Sequence, residues 1–519
     1  MNLRLVSALL LSSVIPAFAG QAPGAASSPD IAVSHRDRFY TSDQFSNTVS
    51  VIDPVDNKLL GVLRLGDPTP GNLSPLYKGQ LLVHGMGFSP NHRTLAVISI
   101  GSNSVTFIDT ETNAIKHVAY VGRSPHEAFF TPDGKEVWVS IRGENYIAVL
   151  DGQTFNEKTR IMVPNGPGMT IFSPDGQYGY VCSSFSPETV VVATDEHKIV
   201  GRVKQESPFC PDIAATPDGK YGYVCSSFSP ETVIIATAGH KIVGHVNQES
   251  PFCPDIAATP DGKQVWLTLK DVGKTMVFNA RPPFDVVKVL DTGPITNHVN
   301  IALNARGQFA YVTIGGLNAV KVFKTDTFEQ VAMIPTGALP HGLWPSGDGT
   351  RMYVGLENAD AAAAIDTLEN KVVAMISLGQ APQGVAYVPN AVPQGDGMQN
   401  LQPLGAAAKS VQLTLAGQDA KPVTQVTLFD QGIVQILQAA VTGLPPKQSF
   451  VLALSDDPKG TGRIEALAGF MSNPAGAAIV NTVGPIRQIT QGDGTTPKRY
   501  LVIAGGTPAQ IGEPVQVQP

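Results

Sequence analysis

The stretch Phe130-Thr-Pro-Asp-Gly134 decides how this chain folds, because close copies of it recur at regular intervals. They stand at Phe172-Ser-Pro-Asp-Gly176, Ala215-Thr-Pro-Asp-Gly219 and Ala258-Thr-Pro-Asp-Gly262, at spacings of 42, 43 and 43 residues. Pro and Gly favour a tight turn, and the Asp side chain caps it. A unit repeated every ~40–50 residues is typical of a propeller or a solenoid.

Each copy of this turn joins two short apolar strands, and two further strands follow. The strand Val137-Trp-Val-Ser140 comes after the turn, and Ile147-Ala-Val-Leu-Asp151 ends in an aspartate. A fourth strand, such as Val372–Leu378, completes the unit. Four antiparallel strands in about 42 residues correspond to one propeller blade. The innermost strands are expected to start at His84, His126, Gly168, Pro211, Pro254, Val299, His341 and Gln383.

The number of blades follows from the two ends of the repeat region. The first unit, Phe39–Leu65, holds only three strands, so we expect Gln383–Val388 to supply its inner strand and close the ring. Tyr178–Lys220 and Tyr221–Lys263 differ at only six of 43 positions, which indicates late duplication of one blade. We therefore predict an all-β, eight-bladed β-propeller over residues 37–390. The alternative is seven blades, with one duplicated copy bulging out.

On these repeats the chain resembles the YVTN-repeat β-propeller family of exported bacterial proteins. Tyr311-Val-Thr-Ile314, Tyr353-Val-Gly-Leu356 and Trp138-Val-Ser-Ile141 stand close to the tetrapeptide that names the family. The resemblance implies the fold of residues 37–390. Related propellers include structural, ligand-binding and redox proteins, so it leaves the function open.

The N-terminus predicts export. Residues 1–19 have the pattern of a cleaved signal peptide, with Arg4, an apolar core over Leu5–Ile15 and the small-residue site Ala17-Phe18-Ala19. No later apolar run is long enough to span a membrane. We therefore expect a periplasmic or secreted protein without a transmembrane segment. The balance of 36 basic and 43 acidic residues, net −7, argues against a nucleic-acid partner. The oligomeric state is left open.

All four cysteines lie in the duplicated region. Export permits disulfides, and the pairing Cys182–Cys210 with Cys225–Cys253 is favoured because a duplication copies it as a unit. Its main rival is Cys210–Cys225, which face each other across one hairpin. A metal-binding or catalytic role for these thiols is less favoured, because the sequence contains no Cys-x-x-Cys motif.

Four of the ten histidines are candidate metal ligands. His84, His126 and His341 occupy the same position at the start of an inner strand, and His298 lies one residue before that position. Inner strands line the central channel of a propeller, so these imidazoles should meet at one mouth. They can bind a transition metal such as copper or zinc. The residues that flank this ring and can act as acceptors are Glu127, Asp212, Asp255, Asn297, Asn300 and Gln383.

Two other roles for these histidines remain open. They can contact a metal-free ligand or substrate, or they can be purely structural and cap the turns that enter the strands. The other six histidines are expected in outer strands, in turns or ahead of the first blade, namely at His35, His92, His117, His197, His240 and His245. The insertion Asp67–Leu82 precedes His84 and is expected to be a lid, a partner contact or a plain connection.

The composition changes after the propeller. Residues 391–409 are predicted to be a linker, and residues 410–519 an immunoglobulin-like β-sandwich of seven strands. The sequence favours an exported binding or scaffold protein whose partner is a small ligand or an envelope protein. The alternatives are a metal-dependent lyase or redox enzyme that uses the channel histidines, and a surface adhesin without chemistry. Whether the chain is an enzyme, and which cofactor it holds, the sequence leaves open.

Overall fold

The computed structural model describes residues 32–66, 82–405, 410–417, 422–430, 434–490 and 497–519. The predicted signal peptide, and the predicted loop Asp67–Leu82 except for Leu82, lie outside these residues. Apart from two short 3-10 turns at Gly315–Leu317 and Arg487–Ile489, all regular elements of the described part are β-strands. Among the described residues, no helix is long and apolar enough to cross a membrane.

The propeller has eight blades, each an antiparallel sheet of four strands. The strands of each blade are given from the inner strand outward. Blade 1 consists of β32 (Pro382–Val388), β1 (Arg38–Asp43), β2 (Thr48–Asp53) and β3 (Lys58–Arg64), and blade 2 of β4 (Val83–Phe88), β5 (Thr94–Ser99), β6 (Ser104–Asp109) and β7 (Ile115–Tyr120). Blade 3 consists of β8 (Pro125–Phe130), β9 (Glu136–Ile141), β10 (Tyr146–Asp151) and β11 (Glu157–Met162), and blade 4 of β12 (Pro167–Phe172), β13 (Tyr178–Ser183), β14 (Glu188–Ala193) and β15 (Lys198–Lys204).

The other half of the ring has the same order. It comprises blade 5, β16 (Ile213–Ala215), β17 (Tyr221–Val224), β18 (Glu231–Ala236) and β19 (Lys241–Asn247); blade 6, β20 (Ile256–Ala258), β21 (Gln264–Leu269), β22 (Lys274–Asn279) and β23 (Val286–Asp291); blade 7, β24 (Thr296–Asn304), β25 (Gly307–Ile314), β26 (Ala319–Lys324) and β27 (Gln330–Pro335); and blade 8, β28 (Pro340–Pro345), β29 (Arg351–Leu356), β30 (Ala361–Asp366) and β31 (Lys371–Ser377).

The ring closes where the sequence predicts, because β32 pairs with β1 in an antiparallel register that sets Phe39 opposite Tyr387. The Tyr387 hydroxyl donates a hydrogen bond to the carboxylate of Asp37 at 2.6 Å. Phe39 also stacks on Tyr353 of blade 8, with ring centroids 4.6 Å apart. Strands from the two ends of the propeller therefore share one buried core.

The duplicated segments both take full part in the ring, which confirms eight blades over seven. The first copy forms β13–β16 and the second forms β17–β20. The disulfides Cys182–Cys210 and Cys225–Cys253 join the second strand of one blade to the start of the next, with Cα atoms 5.9 and 5.7 Å apart. The favoured pairing is therefore confirmed, and the rival Cys210–Cys225 does not occur.

The second domain follows the propeller in the sequence and consists of one sheet with eight strands rather than the predicted seven. Its spatial order is β37-β36-β39-β40-β33-β34-β35-β38, and the two edge strands approach each other, so that the sheet is a nearly closed β-sandwich or barrel. The additional strand is the C-terminal one. The eight strands of this sheet are β33 (Ser410–Ala416), β34 (Pro422–Asp430), β35 (Gln435–Val441), β36 (Ser449–Ser455), β37 (Ile464–Met471), β38 (Ala478–Gly484), β39 (Tyr500–Thr507) and β40 (Gln510–Val517).

This second domain packs on the propeller face at which the inner strands begin. Phe45 of blade 1 contacts Phe429 with ring centroids 4.9 Å apart. Ile295 and Leu339, from the loops that enter blades 7 and 8, form an apolar cluster with Ala440 and Ala477 of the second domain. The backbone N–H of Ala475 donates to the carbonyl of Asp271 in blade 6 at 3.0 Å. The second domain therefore contacts blades 6, 7, 8 and 1.

A buried carboxyl beside the ring closure gives a testable pH dependence. Asp43 accepts hydrogen bonds from Thr41, Thr48 and Ser50 at 2.7, 2.8 and 2.6 Å, and burial raises its pKa to about 7. In the unfolded chain this carboxyl releases its proton near pH 4, so the native state loses stability as the pH rises from about 4 to about 7.

The free energy of unfolding should fall by up to about 4 kcal/mol over this pH range in the unaltered protein. The Asp43→Asn variant is expected not to show this decrease. Denaturant unfolding of both proteins between pH 4.5 and 8 measures it. The Asp326→Asn variant, which changes an exposed turn carboxylate, is the control. Its free energy of unfolding should change with pH as it does in the unaltered protein. Equal slopes in all three proteins would contradict the assignment.

Candidate functional site: the channel mouth

The four candidate histidines lie in two-residue bulges at the start of the inner strands. In blade 3, Pro125 pairs with Ile141 and Ala128 with Val139, so the two residues between them leave the register. The same interruption occurs in blades 2, 4, 7 and 8. The residues in these bulges are His84 and Gly85, His126 and Glu127, Gly168 and Met169, Asn297 and His298, and His341 and Gly342.

The register corrects one sequence position in blade 7. Thr296 pairs with Ile314 and Val299 with Val312, so Asn297, rather than Val299, is equivalent to His341. His298 lies one residue after that position, not before it. The inner strand of this blade, β24, has nine residues where β8 and β28 have six, so a position counted by spacing falls two residues late. In blades 5 and 6 the inner strands start only at Ile213 and Ile256, after Pro211 and Pro254.

The histidines form two close pairs. The ring centroids of His84 and His126 are 5.2 Å apart, and those of His298 and His341 are 4.4 Å apart. Among the described residues, no three acidic or histidine ligands of this mouth lie within 4.8 Å of one another. The structure therefore brings the predicted ligands together as two pairs rather than as one four-histidine site.

Among the described residues, one group of three side chains has its ligand atoms within 4.8 Å of one another, and this group lies away from the mouth. It consists of His35, Asp53 and Asp56. The His35 side chain is 63 % exposed, and its Nδ1 lies 2.8 Å from the Asp53 carboxylate. A surface ion pair explains this proximity, so we assign the group no further role.

The imidazoles of the mouth are partly buried, and one ring nitrogen of each has no hydrogen bond within the described part of the chain. The Nδ1 atoms of His84, His126, His298 and His341 have no hydrogen-bond partner among the described residues. Burial lowers the pKa of His84 to about 4 and that of His298 to about 3. Burial also holds the pKa values of His126 and His341 well below the usual range. All four rings are therefore neutral near pH 7, and each nitrogen without a proton can act as a metal ligand.

Several flanking residues have a structural role instead. The Asp212 carboxylate accepts the backbone N–H of Ile256 at 3.2 Å, and the Asp255 carboxylate accepts that of Val299 at 2.6 Å. Asn297 and Asn300 donate to the carbonyls of Pro340 and Leu343 at 2.9 and 3.3 Å. Each of these side chains ties one inner strand to the next blade, and the Asp255 carboxylate also lies 3.5 Å from Nδ1 of His298.

Glu127 differs from those carboxylates, because no hydrogen bond to it is found among the described residues. Its carboxylate lies 3.8 Å from Nδ1 of His126, and a Cβ added at Gly85 would come within 2.3 Å of it. The glycine thus leaves space for this carboxyl group. Burial, with a smaller contribution from Asp212, raises the pKa of Glu127 to about 8. Glu127 is therefore mostly protonated at neutral pH.

Sequence reasoning missed two cations at the mouth, Arg142 and Lys270. Each follows directly on the second strand of its blade, at the position that Glu357 takes in blade 8. After burial, which has the larger effect, Arg142 further lowers the pKa values of His84 and His126, and Lys270 those of His298 and His341. Aligning the residues that follow the second strands, rather than only those that start the inner strands, would have found them.

The second domain completes the mouth on the side of Lys270. Gln438 of β35 donates through Nε2 to the Glu357 carboxylate at 2.8 Å. Thr427 donates to the carbonyl of Asn358 at 2.8 Å. Glu357 and Gln438 are both buried, and the Oε1 atom of Gln438 has no partner among the described residues. No sequence signal placed this domain over the channel.

Comparison with known proteins supports the fold. The chain matches no protein-family model and no curated protein. Among solved structures it is similar to the dihydro-heme d1 dehydrogenase NirN in complex with DHE, with a TM-score of 0.58 and 15% identity over 73% of this chain and 81% of that one. It is also similar to Kuenenia stuttgartiensis hydrazine synthase, with a TM-score of 0.47 and 20% identity over 58% and 99% of the two chains. At these identities the likeness concerns the fold alone.

Proposed function

We propose that this chain is an exported binding protein that holds a transition-metal ion, such as copper or zinc, at the mouth of its channel. The observation that carries the proposal is the set of four neutral imidazoles whose buried Nδ1 atoms lack partners. A buried polar atom without a partner is costly unless a ligand satisfies it. Imidazole nitrogen suits copper and zinc better than it suits magnesium or calcium.

The geometry of each pair is compatible with one ion. At a nitrogen–metal distance of ~2.0–2.1 Å, the ring centroid lies about 3.2 Å from the ion, so two coordinating rings are at most about 6.4 Å apart. The observed centroid distances of 5.2 and 4.4 Å fall within this limit. One ion per pair is therefore the stoichiometry we propose, with His84 and His126 at one site and His298 and His341 at the other.

Export to the periplasm or beyond is part of the same proposal. It is supported by the N-terminal sequence pattern and by two disulfides, which persist in oxidising compartments. Membership of the YVTN-repeat family is likewise proposed, on the tetrapeptides in the second strands of blades 3, 7 and 8.

A second candidate function is an enzyme that uses the same histidines. Glu127 favours it, because a carboxyl group that is mostly protonated at neutral pH and lies 3.8 Å from His126 can deliver a proton to a bound substrate. NirN, which has a similar fold, is a dihydro-heme d1 dehydrogenase. The two functions share one site, so metal binding is the property to test first.

The test is a reconstitution of the purified protein with copper(II) or zinc(II), followed by desalting and elemental analysis. We expect about two ions per chain, and at least about 100-fold weaker binding in the His126→Ala, His341→Ala double variant, which removes one ligand from each pair. The control double variant His117→Ala, His245→Ala removes two histidines of outer strands and should bind like the unaltered chain.

Two results would contradict the proposal. One is a metal content below about 0.2 ions per chain after reconstitution, because a formed site binds its metal with substantial free energy. The other is equal binding by the mouth variant and the control. Circular dichroism of the mouth variant shows whether any loss of metal reflects a lost site or a lost fold.

A further inference from the structure

We propose that the mouth binds its metal ion together with an anionic oxygen ligand of the small polycarboxylate type, whose negative charge is held by Arg142 and Lys270. This inference rests on the proposed metal binding. It adds the chemical class of a second ligand and the two residues that select it.

The first observation is that both cations lack an ion pair. In the described part of the chain, no carboxylate lies within 4 Å of Arg142 or Lys270, although both side chains are partly buried. The Nε of Arg142 donates to Ser184 at 2.9 Å, and its guanidinium lies 5.0 Å from the centre of the Phe209 ring. These contacts orient the group without neutralising it. A partly buried cation without a counter-charge is unfavourable unless an anion binds beside it.

The acidic groups that act on these two cations do not form ion pairs with them. Glu127 acts on Arg142 from beyond 4 Å. Glu357 and Asp271 act on Lys270, also from beyond 4 Å, and accept hydrogen bonds from Gln438 and Asn473 of the second domain. Arg142 and Lys270 therefore keep N–H donors that no carboxylate of the described residues occupies and that a ligand can use.

The second observation is that each metal pair is an incomplete ligand set. Two imidazoles leave at least two coordination positions of a tetrahedral or tetragonal ion open. Among the described residues, no third acidic or histidine ligand lies within 4.8 Å of both members of either pair. Water or an added ligand must therefore occupy the open positions, and an anion there compensates the charge of both the ion and the protein cation.

The third observation is the placement of the cations. Arg142 and Lys270 occupy the same position in blades 3 and 6, and each acts on a different histidine pair. An ion bound at either pair therefore has a positive side chain beside it, which repels a bare divalent cation and attracts an anionic complex. The guanidinium and the ammonium are both suited to carboxylate oxygens.

The experiment uses the full mature protein and copper(II) citrate with radiolabelled citrate. After desalting we expect copper and citrate to be retained together in a ratio near one. The Arg142→Gln, Lys270→Gln double variant should retain at least about tenfold less citrate, since it removes two charge-assisted contacts. The charge-matched control Arg36→Gln, Lys288→Gln alters two exposed cations and should retain citrate like the unaltered chain.

A second measurement on the unaltered protein avoids any effect of substitution on folding. Copper(II) 2,2′-bipyridine is a cationic complex, and we expect it to be retained at least about tenfold less than copper(II) citrate, because both protein cations repel it. Equal retention of the two complexes would overturn the inference.

Failure of this inference differs from failure of the proposed function. Retention of copper without citrate, or equal citrate retention in the Arg142→Gln, Lys270→Gln variant and its control, overturns the anionic ligand and leaves metal binding intact. No retention of copper from either the chloride or the citrate overturns both. Loss of copper and citrate together in the His126→Ala, His341→Ala variant, with citrate alone lost in the cation variant, supports both.

Discussion

A chain that ends after Ala381 is expected not to fold, whereas a chain that ends after Gly405 is expected to fold into a complete propeller. The first truncation removes β32, the inner strand of blade 1, and the second retains it. Burial of the four apolar residues Val385–Val388 contributes roughly 6–10 kcal/mol, at about 1.5–3 kcal/mol for each larger side chain. This is comparable with the whole stability of a domain, about 5–15 kcal/mol.

Three further contacts depend on the retained segment. The Tyr387 hydroxyl bonds to Asp37, the N–H of Val392 donates to the carbonyl of Arg36 at 2.8 Å, and Gln402 pairs with Val62 at the edge of β3. The stretch predicted as a linker thus packs on blade 1. Thermal unfolding followed by circular dichroism, together with limited proteolysis, measures the outcome for both chains.

The longer truncation also isolates the role of the second domain. It exposes Phe45, Ile295 and Leu339, which that domain covers, so this chain should bind hydrophobic dyes and aggregate more readily. Cooperative unfolding of the shorter chain, with the midpoint of the longer one, would show that the ring does not need β32. The eight-bladed closure would then be wrong as an account of stability.

Removing both disulfides is the second change with a large expected effect. Each closes a loop between residues 28 apart in sequence, and loop closure of that length stabilises by about 3–4 kcal/mol in the chain-entropy view. Replacing all four cysteines by serine is therefore expected to lower the free energy of unfolding by about 6–8 kcal/mol. Denaturant titration of both proteins measures the difference.

Reduction provides the control for that substitution. Dithiothreitol should shift the midpoint of the unaltered protein towards that of the four-serine variant and leave the variant unchanged. A variant as stable as the oxidised protein would mean that the bridges are dispensable. Because Cys210 and Cys253 each precede a proline and a mouth aspartate, Asp212 or Asp255, metal binding should also weaken when the bridges are lost.

Much of the fold could be predicted because it depends on short sequence segments. A Pro-Asp-Gly turn constrains the backbone within a few residues, and its repetition every 42 or 43 residues counts the blades directly. The disulfide pairing was predictable for a similar reason, because the duplication copies each cysteine pair as a unit. In the second domain, the same local signals found seven strands but missed β40, whose Gly and Pro residues interrupt the apolar alternation.

The candidate site was predictable only in part. Three histidines share one position in the repeat, so spacing alone placed His84, His126 and His341 at one mouth. Spacing placed the start of the inner strand of blade 7 at Val299, because it does not show that this strand is longer and has its bulge at Asn297 and His298. Pairing of the imidazoles depends on side-chain packing across blades, which leaves no mark in the spacing.

The sequence alone is enough to predict the repeated hairpin, the closing strand, the favoured disulfide pairing and the ring of inner-strand histidines, because each depends on residues near one another or on exact repetition. Three further features emerge only in the folded protein. The histidines meet as two pairs, Arg142 and Lys270 lie near them without ion pairs, and Gln438 of the second domain binds Glu357. These are contacts between blades and between domains. Their distances are set by how the whole ring closes and where the second sheet docks on it.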